Sequence, residues 1–239
     1  MLRTLITLFL LLPAVLTLVY SQERISEAQL LGQGQPKLIE GEGYRLRPEA
    51  ALAFERMKKA ALKDGISIKV VSSYRDYAHQ NRIWERKYKR FRESGLQPKQ
   101  AIEKIIAYST IPGTSRHHWG TDIDLIDAAP KVDGDVLVAS KFHGTGPFCK
   151  FKQWMDEHAN SFGFYLVYTD VLDRKGFKYE PWHYSYAPLS INYLKAYNRL
   201  DIQGRLTAAQ LMGSTHFTPS FVSGYLQEHI NDINPELKE

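Results

Sequence analysis

Gly113-Thr114-Ser115-Arg116-His117-His118-Trp119-Gly120-Thr121-Asp122-Ile123-Asp124 is the stretch on which the reading of this chain turns. Ile111-Pro112-Gly113 breaks the chain into a loop just before it. Thr121 to Ile126 then alternates with the period of a strand, which puts Asp122 and Asp124 on one face and Ile123 and Leu125 on the other. A second stretch, Glu180-Pro181-Trp182-His183, follows downstream. His117, Asp124 and His183 offer two imidazoles and a carboxylate, the ligand types of a catalytic zinc site, and Glu180 adds a carboxylate for proton transfer. Residues three apart on a regular strand face opposite ways. Pro181 removes a ladder donor, so a bent loop is expected that aims Glu180 and His183 at one point.

Outward from these motifs, the elements alternate in type. Ala50, Phe54, Met57 and Ala61 recur at helical spacing up to Gly65, and Ile66 to Val70 alternates as a half-buried strand that delivers Ser72-Ser73-Tyr74-Arg75. A helix beginning near Asp76 buries Tyr77, Gln80, Trp84, Tyr88 and Phe91. Its remaining faces carry Arg82, Arg86, Lys87, Lys89, Arg90 and Arg92, a solvated face or a contact for anionic wall polymer. A short helix is expected over 98–108, a strand at 136–138, a helix from Pro147 to Gly163, a strand from Phe164 to Tyr168, and a tight hairpin turn at 173–176. A closing strand from Tyr184, a helix near 190–199 and a docked terminal helix through Phe221, Tyr225, His229 and Ile233 complete the chain. Strands interleaved with segregated helices predict an α+β fold with a mainly antiparallel central sheet and flanking helices.

The 239 residues, 44% hydrophobic and 24% charged, exclude a disordered or collagen-like chain. Met1-Leu2-Arg3, the apolar run that follows and Val19-Tyr20-Ser21 read as a signal peptide over 1–21, cleaved after Ser21. Pro13 inside the run and the absence of a basic cluster directly after it disfavour a retained anchor, so no stable membrane span is expected after removal. Residues 22–46, punctuated by Gly32, Gly34, Gly41 and Gly43, read as a polar leader running over the surface. The main domain is expected over 47–200, with 201–239 as an extension docked on it. The net charge of +5 suits anionic wall polymers and calls for no nucleic-acid partner. Cys149 is the single cysteine, so no intramolecular disulfide forms.

The combination of motifs resembles the LAS metallopeptidases, the VanY-like zinc D-alanyl-D-alanine carboxypeptidases of peptidase family M15. Their Ser-x-His-x-x-Gly-x-Ala-x-Asp pattern is matched by Ser115, His117, Gly120 and Asp124, and their Glu-x-Trp-His by Glu180, Trp182 and His183. A Ser-x-Tyr-Arg segment followed by Gln is matched by Ser72-Ser73-Tyr74-Arg75 and Gln80. The likeness covers roughly residues 45–190. It implies a LAS/Hedgehog-like fold with one Zn²⁺ on His117, Asp124 and His183, and Glu180 as general base and acid. It further implies that Arg75 stabilises the oxyanion or holds a substrate carboxylate. Ser115 and Gln80 are expected to contact substrate or to brace the site, Tyr74 to contact substrate, and Trp182 to wall the cleft. The implied substrates are peptidoglycan stem peptides, cleaved by a D,D- or L,D-carboxypeptidase in the periplasm or cell envelope. A cross-link endopeptidase and an inactive wall-binding module are the alternatives. Asp122 departs from the pattern, standing where the family has Ala; it is read as an acceptor orienting a ligand or as an outward-facing polar residue.

Overall fold

The computed structural model describes residues 25–238, so the expected signal segment 1–21 lies outside the described residues. In chain order the structure has α1 (Glu27–Leu30), β1 (Ile39–Gly41), β2 (Tyr44–Leu46), α2 (Pro48–Lys63), β3 (Ile68–Ser72), α3 (Tyr77–Glu93) and α4 (Pro98–Ile106). Then follow β4 (Asp122–Asp127), α5 (Cys149–His158), β5 (Phe164–Leu166), β6 (His183–Tyr186), α6 (Ala187–Tyr197), α7 (Ile202–Thr207) and α8 (Pro219–Tyr225). The main sheet has the order β3-β4-β6-β5 with every pairing antiparallel, which is the α+β architecture the sequence predicts.

The two faces of that sheet do different work. Ile123 and Leu125 of β4 and Tyr184 of β6 join Phe54 and Met57 of α2 and Phe151 and Met155 of α5 in one apolar core. Helix starts fit this packing: Pro48 opens α2 where its missing N–H costs nothing, and the Asp76 side chain caps α3 by accepting from His79 N. The opposite face carries Asp122, Asp124, His183 and Ser185. A second core beyond it gathers Trp84, Ile105, Trp119, Tyr197, Val222 and Tyr225.

Four local expectations are corrected. The expected surface leader instead contributes to the core: Ser26 and Gln29 form a capping box around α1, Leu30 is 2% exposed, and β1 and β2 pair as a hairpin. Counting glycines missed the apolar pair Leu30-Leu31. Residues 136–138 are irregular, because Asp135 Oδ1 accepts from Leu137 N and no neighbouring strand offers a ladder. No tight hairpin joins β5 to β6. Residues 167–182 form a long loop whose carbonyls at Thr169 and Phe177 are gathered by the Arg174 guanidinium, which also reaches Asp232 O. The expected 147–163 helix is α5 followed by a 3₁₀ turn over Ala159–Phe162.

Residues 201–238 pack onto the body, with Phe217, Val222, Tyr225, Ile230, Ile233 and Leu237 buried. Phe221, Tyr225 and His229 stack along one face of α8 and the π-turn after it. Among the described residues no helix is long and apolar enough to cross a membrane.

Candidate active site

The central strands bring the candidate ligands together. Asp124 and His183 are directly opposed in the β4–β6 register and point to the same face. His117 comes from the 3₁₀ turn Arg116–Trp119, and Gly120 at φ +71 lets the chain reverse from that turn into β4; a Cβ there would lie 2.8 Å from Leu38 Cδ2. One donor atom from each of His117, Asp124 and His183 falls within 4.8 Å of the other two.

Hydrogen bonds assign which ring nitrogens face inward. His117 Nδ1 donates to Ser73 O at 2.8 Å, leaving Nε2 buried, without a hydrogen-bond partner and 3.5 Å from Asp124 Oδ2. His183 Nε2 donates to Asp122 Oδ2 at 3.0 Å, so its Nδ1 faces Asp124 Oδ1 at 3.6 Å and Glu180 Oε2 at 3.2 Å. Asp124 Oδ1 is also buried without a hydrogen bond. Each imidazole is therefore tied by one nitrogen and offers the other, the arrangement that orients metal-binding histidines. Burial, and then Arg75, lower the His117 pKa to about 4, which keeps its ring neutral. Burial also disfavours charge on His183, yet Asp122, Glu180 and Asp124 outweigh it and raise its pKa to about 9. A cation set among these carboxylates takes that proton's place, so the donor set fits a zinc ion.

Asp122 is the orienting acceptor rather than an outward polar residue. Its carboxylate is 0% exposed and accepts from Arg116 Nε (2.8 Å), His183 Nε2 (3.0 Å), Ser185 Oγ (2.6 Å) and Thr121 Oγ1 (2.8 Å). Burial opposes its charge, but Arg116 and His183 hold its carboxyl well below the usual range. Arg116 is 3% exposed, donates its Nη2 to Ser185 Oγ at 2.7 Å and lies over the Trp119 ring. Sequence reasoning gave Arg116 no role; its one signal was a basic residue beside the ligand His117 and a carboxylate where the family has Ala.

The remaining site residues divide between the cavity and its frame. Glu180, Arg75, Ser115 and Trp182 line the same cavity of about 650 Å³ as the three ligands. Glu180 and His183 sit on one turn, closed by His183 N donating to Glu180 O at 3.1 Å, which is the bend expected at Pro181. Burial raises the Glu180 pKa. Arg75 is delivered by the register shift between Val70 and Ser72 in β3 and held by its N–H on His117 O at 3.2 Å; its Nε is buried without a partner. Burial lowers its pKa, while Asp124 and Glu180 raise it. Ser115 Oγ is likewise buried and unpartnered. Trp182 walls the cleft and packs on Phe142.

Gln80 and Tyr74 lie outside this cavity. Gln80 is 0% exposed and donates Nε2 to Thr110 O at 2.9 Å, so it braces the loop before Gly113 and does not line the cavity. Tyr74 packs under the Arg45 guanidinium and borders a shallow groove beside the β1–β2 hairpin. Both Tyr74 and Arg75 lie in the irregular segment after β3, and of the two only Arg75 reaches the cavity. Both ring nitrogens of the neighbouring His118 are engaged, Nδ1 donating to Arg75 O at 2.6 Å and Nε2 accepting from Gly113 N at 3.2 Å. Tyr168 lines the cavity with its ring edge-on to His183 at 5.1 Å and carried no sequence signal. The loop under the site is held from the far side by Tyr225, whose hydroxyl accepts from Ile111 N at 3.1 Å and pairs with Thr114 Oγ1 at 2.8 Å. Tyr197 OH donates to Gly113 O at 3.1 Å.

Comparison with known proteins agrees with this geometry. The family model described as VanY, D-alanyl-D-alanine carboxypeptidase, matches residues 43–189. A D-alanyl-D-alanine carboxypeptidase of Enterococcus faecalis is 32% identical over 128 residues, 53% of this chain and 42% of that protein, so the match spans less than half of that relative's length. The bifunctional D-Ala-D-Ala dipeptidase and carboxypeptidase VanXYC of Enterococcus gallinarum is 33% identical over 145 residues, 60% of this chain and 68% of that protein. Among solved structures, a variant of the vancomycin-resistance D,D-pentapeptidase VanY in complex with Zn(II) aligns with a TM-score of 0.53 and 27% identity, covering 70% of this chain and 86% of that one. With the motifs, the sheet and the matched segment in agreement, this chain belongs to the VanY D-alanyl-D-alanine carboxypeptidase family of M15 peptidases.

Proposed function

We propose that this protein is an exported zinc carboxypeptidase that removes the terminal D-alanine from peptidoglycan stem peptides. The observation that carries the reading is the convergence of His117, Asp124 and His183 with Glu180 and Arg75 in one cavity. One zinc ion held by the three ligands supplies Lewis acidity to the attacking water and the scissile carbonyl. Glu180, kept more basic than an exposed carboxylate by burial, takes a proton from that water and returns it to the leaving amine. Arg75 presents a fixed guanidinium with an unpartnered Nε to the developing oxyanion or to the terminal carboxylate. Ser115 Oγ offers a further free polar contact on the same wall. Asp122 fixes the His183 ring. The N-terminal segment, read from the sequence as an export signal, supports work in the periplasm or cell envelope.

The test is incubation of the zinc-loaded protein with muropeptide pentapeptides, tetrapeptides and cross-linked dimers, with products read by mass spectrometry. Loss of one terminal D-Ala, abolished by chelator and by Glu180→Ala, is expected, and the stem length accepted separates D,D- from L,D-cleavage. Dimer splitting assigns an endopeptidase instead. No product from an intact, zinc-bound protein removes the hydrolase reading in favour of a wall-binding module.

A further inference from the structure

The basic run on α3 is not one uniform solvated face. Arg82, Arg86 and Lys89 border an outer groove in which Glu85 and Glu93 also stand. Lys87 lies on the side that, with Ile83 and Phe91, lines the active-site cavity, Lys104 of α4 joins it there, and Arg90 stands between the two, bordering both the cavity and the outer groove. Arg90 and Lys104 both stand over the Phe91 ring, at 4.8 and 5.1 Å from its centre, so an aromatic surface holds two cations close together. Among the described residues, no ion pair involves Lys87, Arg90 or Lys104. Lys87 is half-buried; burial lowers its pKa, and the groups acting on it include Glu180 and Arg75. The one carboxylate bordering this cavity away from the metal ligands and Glu180 is Asp135, exposed on the loop that carries Leu137 and Val138.

Three like charges border one stretch of this cavity and repel one another, and among the described residues none of the cavity's carboxylates is ion-paired to any of them. A ligand that brings its own negative charge relieves this. The terminal carboxylate of the peptide lies a few bonds past the scissile carbon, within the province of Arg75 at the metal ligands. A cavity of about 650 Å³ has room for peptide well beyond a terminal dipeptide.

We propose that Lys87, Arg90 and Lys104 form a subsite for a second carboxylate of the substrate, one set back from the scissile bond, so that the enzyme selects stem peptides whose internal carboxylates are free over their amidated counterparts. The proposal rests on the stem-peptide reading above and names the class of substrate within it. Two internal carboxylates have the required chemistry, that on the glutamyl residue and that on a dicarboxylic diamino acid.

The experiment is calorimetric titration of zinc-loaded, full-length Glu180→Ala protein, which blocks turnover, with matched pentapeptides. One pair differs by carboxylate or carboxamide on the glutamyl residue, and a second by diaminopimelate or lysine at the following position. In one of the pairs the free-carboxylate peptide is expected to bind about tenfold more tightly, an advantage that shrinks as salt is raised. Adding Lys87→Gln with Arg90→Gln, or Lys104→Gln alone, brings that ratio towards one, with zinc content and unfolding midpoint unchanged. Equal affinities within both pairs overturn the subsite while leaving the functional reading intact. No binding of any peptide to the zinc-loaded protein overturns the reading and the subsite together.

Discussion

Replacing Asp122 by the family's own alanine is the sharpest test of how the site is built. The substitution leaves the Arg116 guanidinium buried with only Ser185 Oγ and the Trp119 ring for company, and deprives His183 Nε2 and Thr121 Oγ1 of their acceptor. Removing one member of a buried ion pair costs about 3–5 kcal/mol, which for a chain of this size lowers the unfolding midpoint by about 6–20 °C. Zinc affinity falls in addition by about 10–100-fold, because the ring bearing Nδ1 is no longer oriented. Urea unfolding of the metal-free protein measures the first effect and chelator competition the second. The native carboxyl titrates below its unfolded range, so its contribution is fully present above about pH 4 and declines as the pH falls further; the deficit of the variant shrinks in the same window. The double variant Arg116→Met with Asp122→Ala removes the stranded charge and recovers most of the lost stability. A loss below about 1 kcal/mol in the single variant, or no recovery in the double, refutes the reasoning.

Tyr225→Phe strips the hydroxyl from Ile111 N and Thr114 Oγ1; a loss of about 1–3 kcal/mol in urea unfolding is expected, with weaker zinc retention because the His117 loop is loosened. His229, packed between Tyr225 and Phe177, has its pKa lowered by burial from 6.5 to about 4. A depressed folded-state value means stability is lost as pH falls from about 6.5 towards 4, and His229→Phe flattens the unfolding profile across that window. NMR titration of the imidazole gives the pKa directly. A Cβ on Gly176, at φ +70, would lie 1.8 Å from Glu228 O, so Gly176→Ala pushes the 167–182 loop off the C-terminal segment and speeds amide exchange in both.

The convergence of His117, Asp124 and His183 was legible because their positions follow from one-dimensional rules. Strand alternation put Asp122 and Asp124 on one face, and Pro181 bent Glu180 back beside His183. Tyr74 was misplaced because adjacency to Arg75 in a motif says nothing of which way a neighbouring side chain points. The irregular segment after β3 sets Tyr74 under the Arg45 guanidinium, and Gln80 reaches a loop carbonyl thirty residues on. Tyr168 matters through His183, and Arg116 reaches Ser185 as well as nearby Asp122; the long-range partners are ones that spacing does not reveal. The α1 segment and the 167–182 loop were misread for the same reason, since both are held by long-range contacts such as Trp119 Nε1 to Leu30 O and Arg174 to Asp232 O.

The direct opposition of Asp124 and His183 on neighbouring strands bears on folding fidelity. A slip of β6 by one residue would set Tyr184 or Trp182 across from Asp124 and turn the apolar side chains towards the cavity. Only the correct pairing brings the candidate metal ligands together. An ion bound there during folding would therefore reward one strand alignment over its neighbours, and the candidate site would double as a check on the assembly of the sheet that carries it.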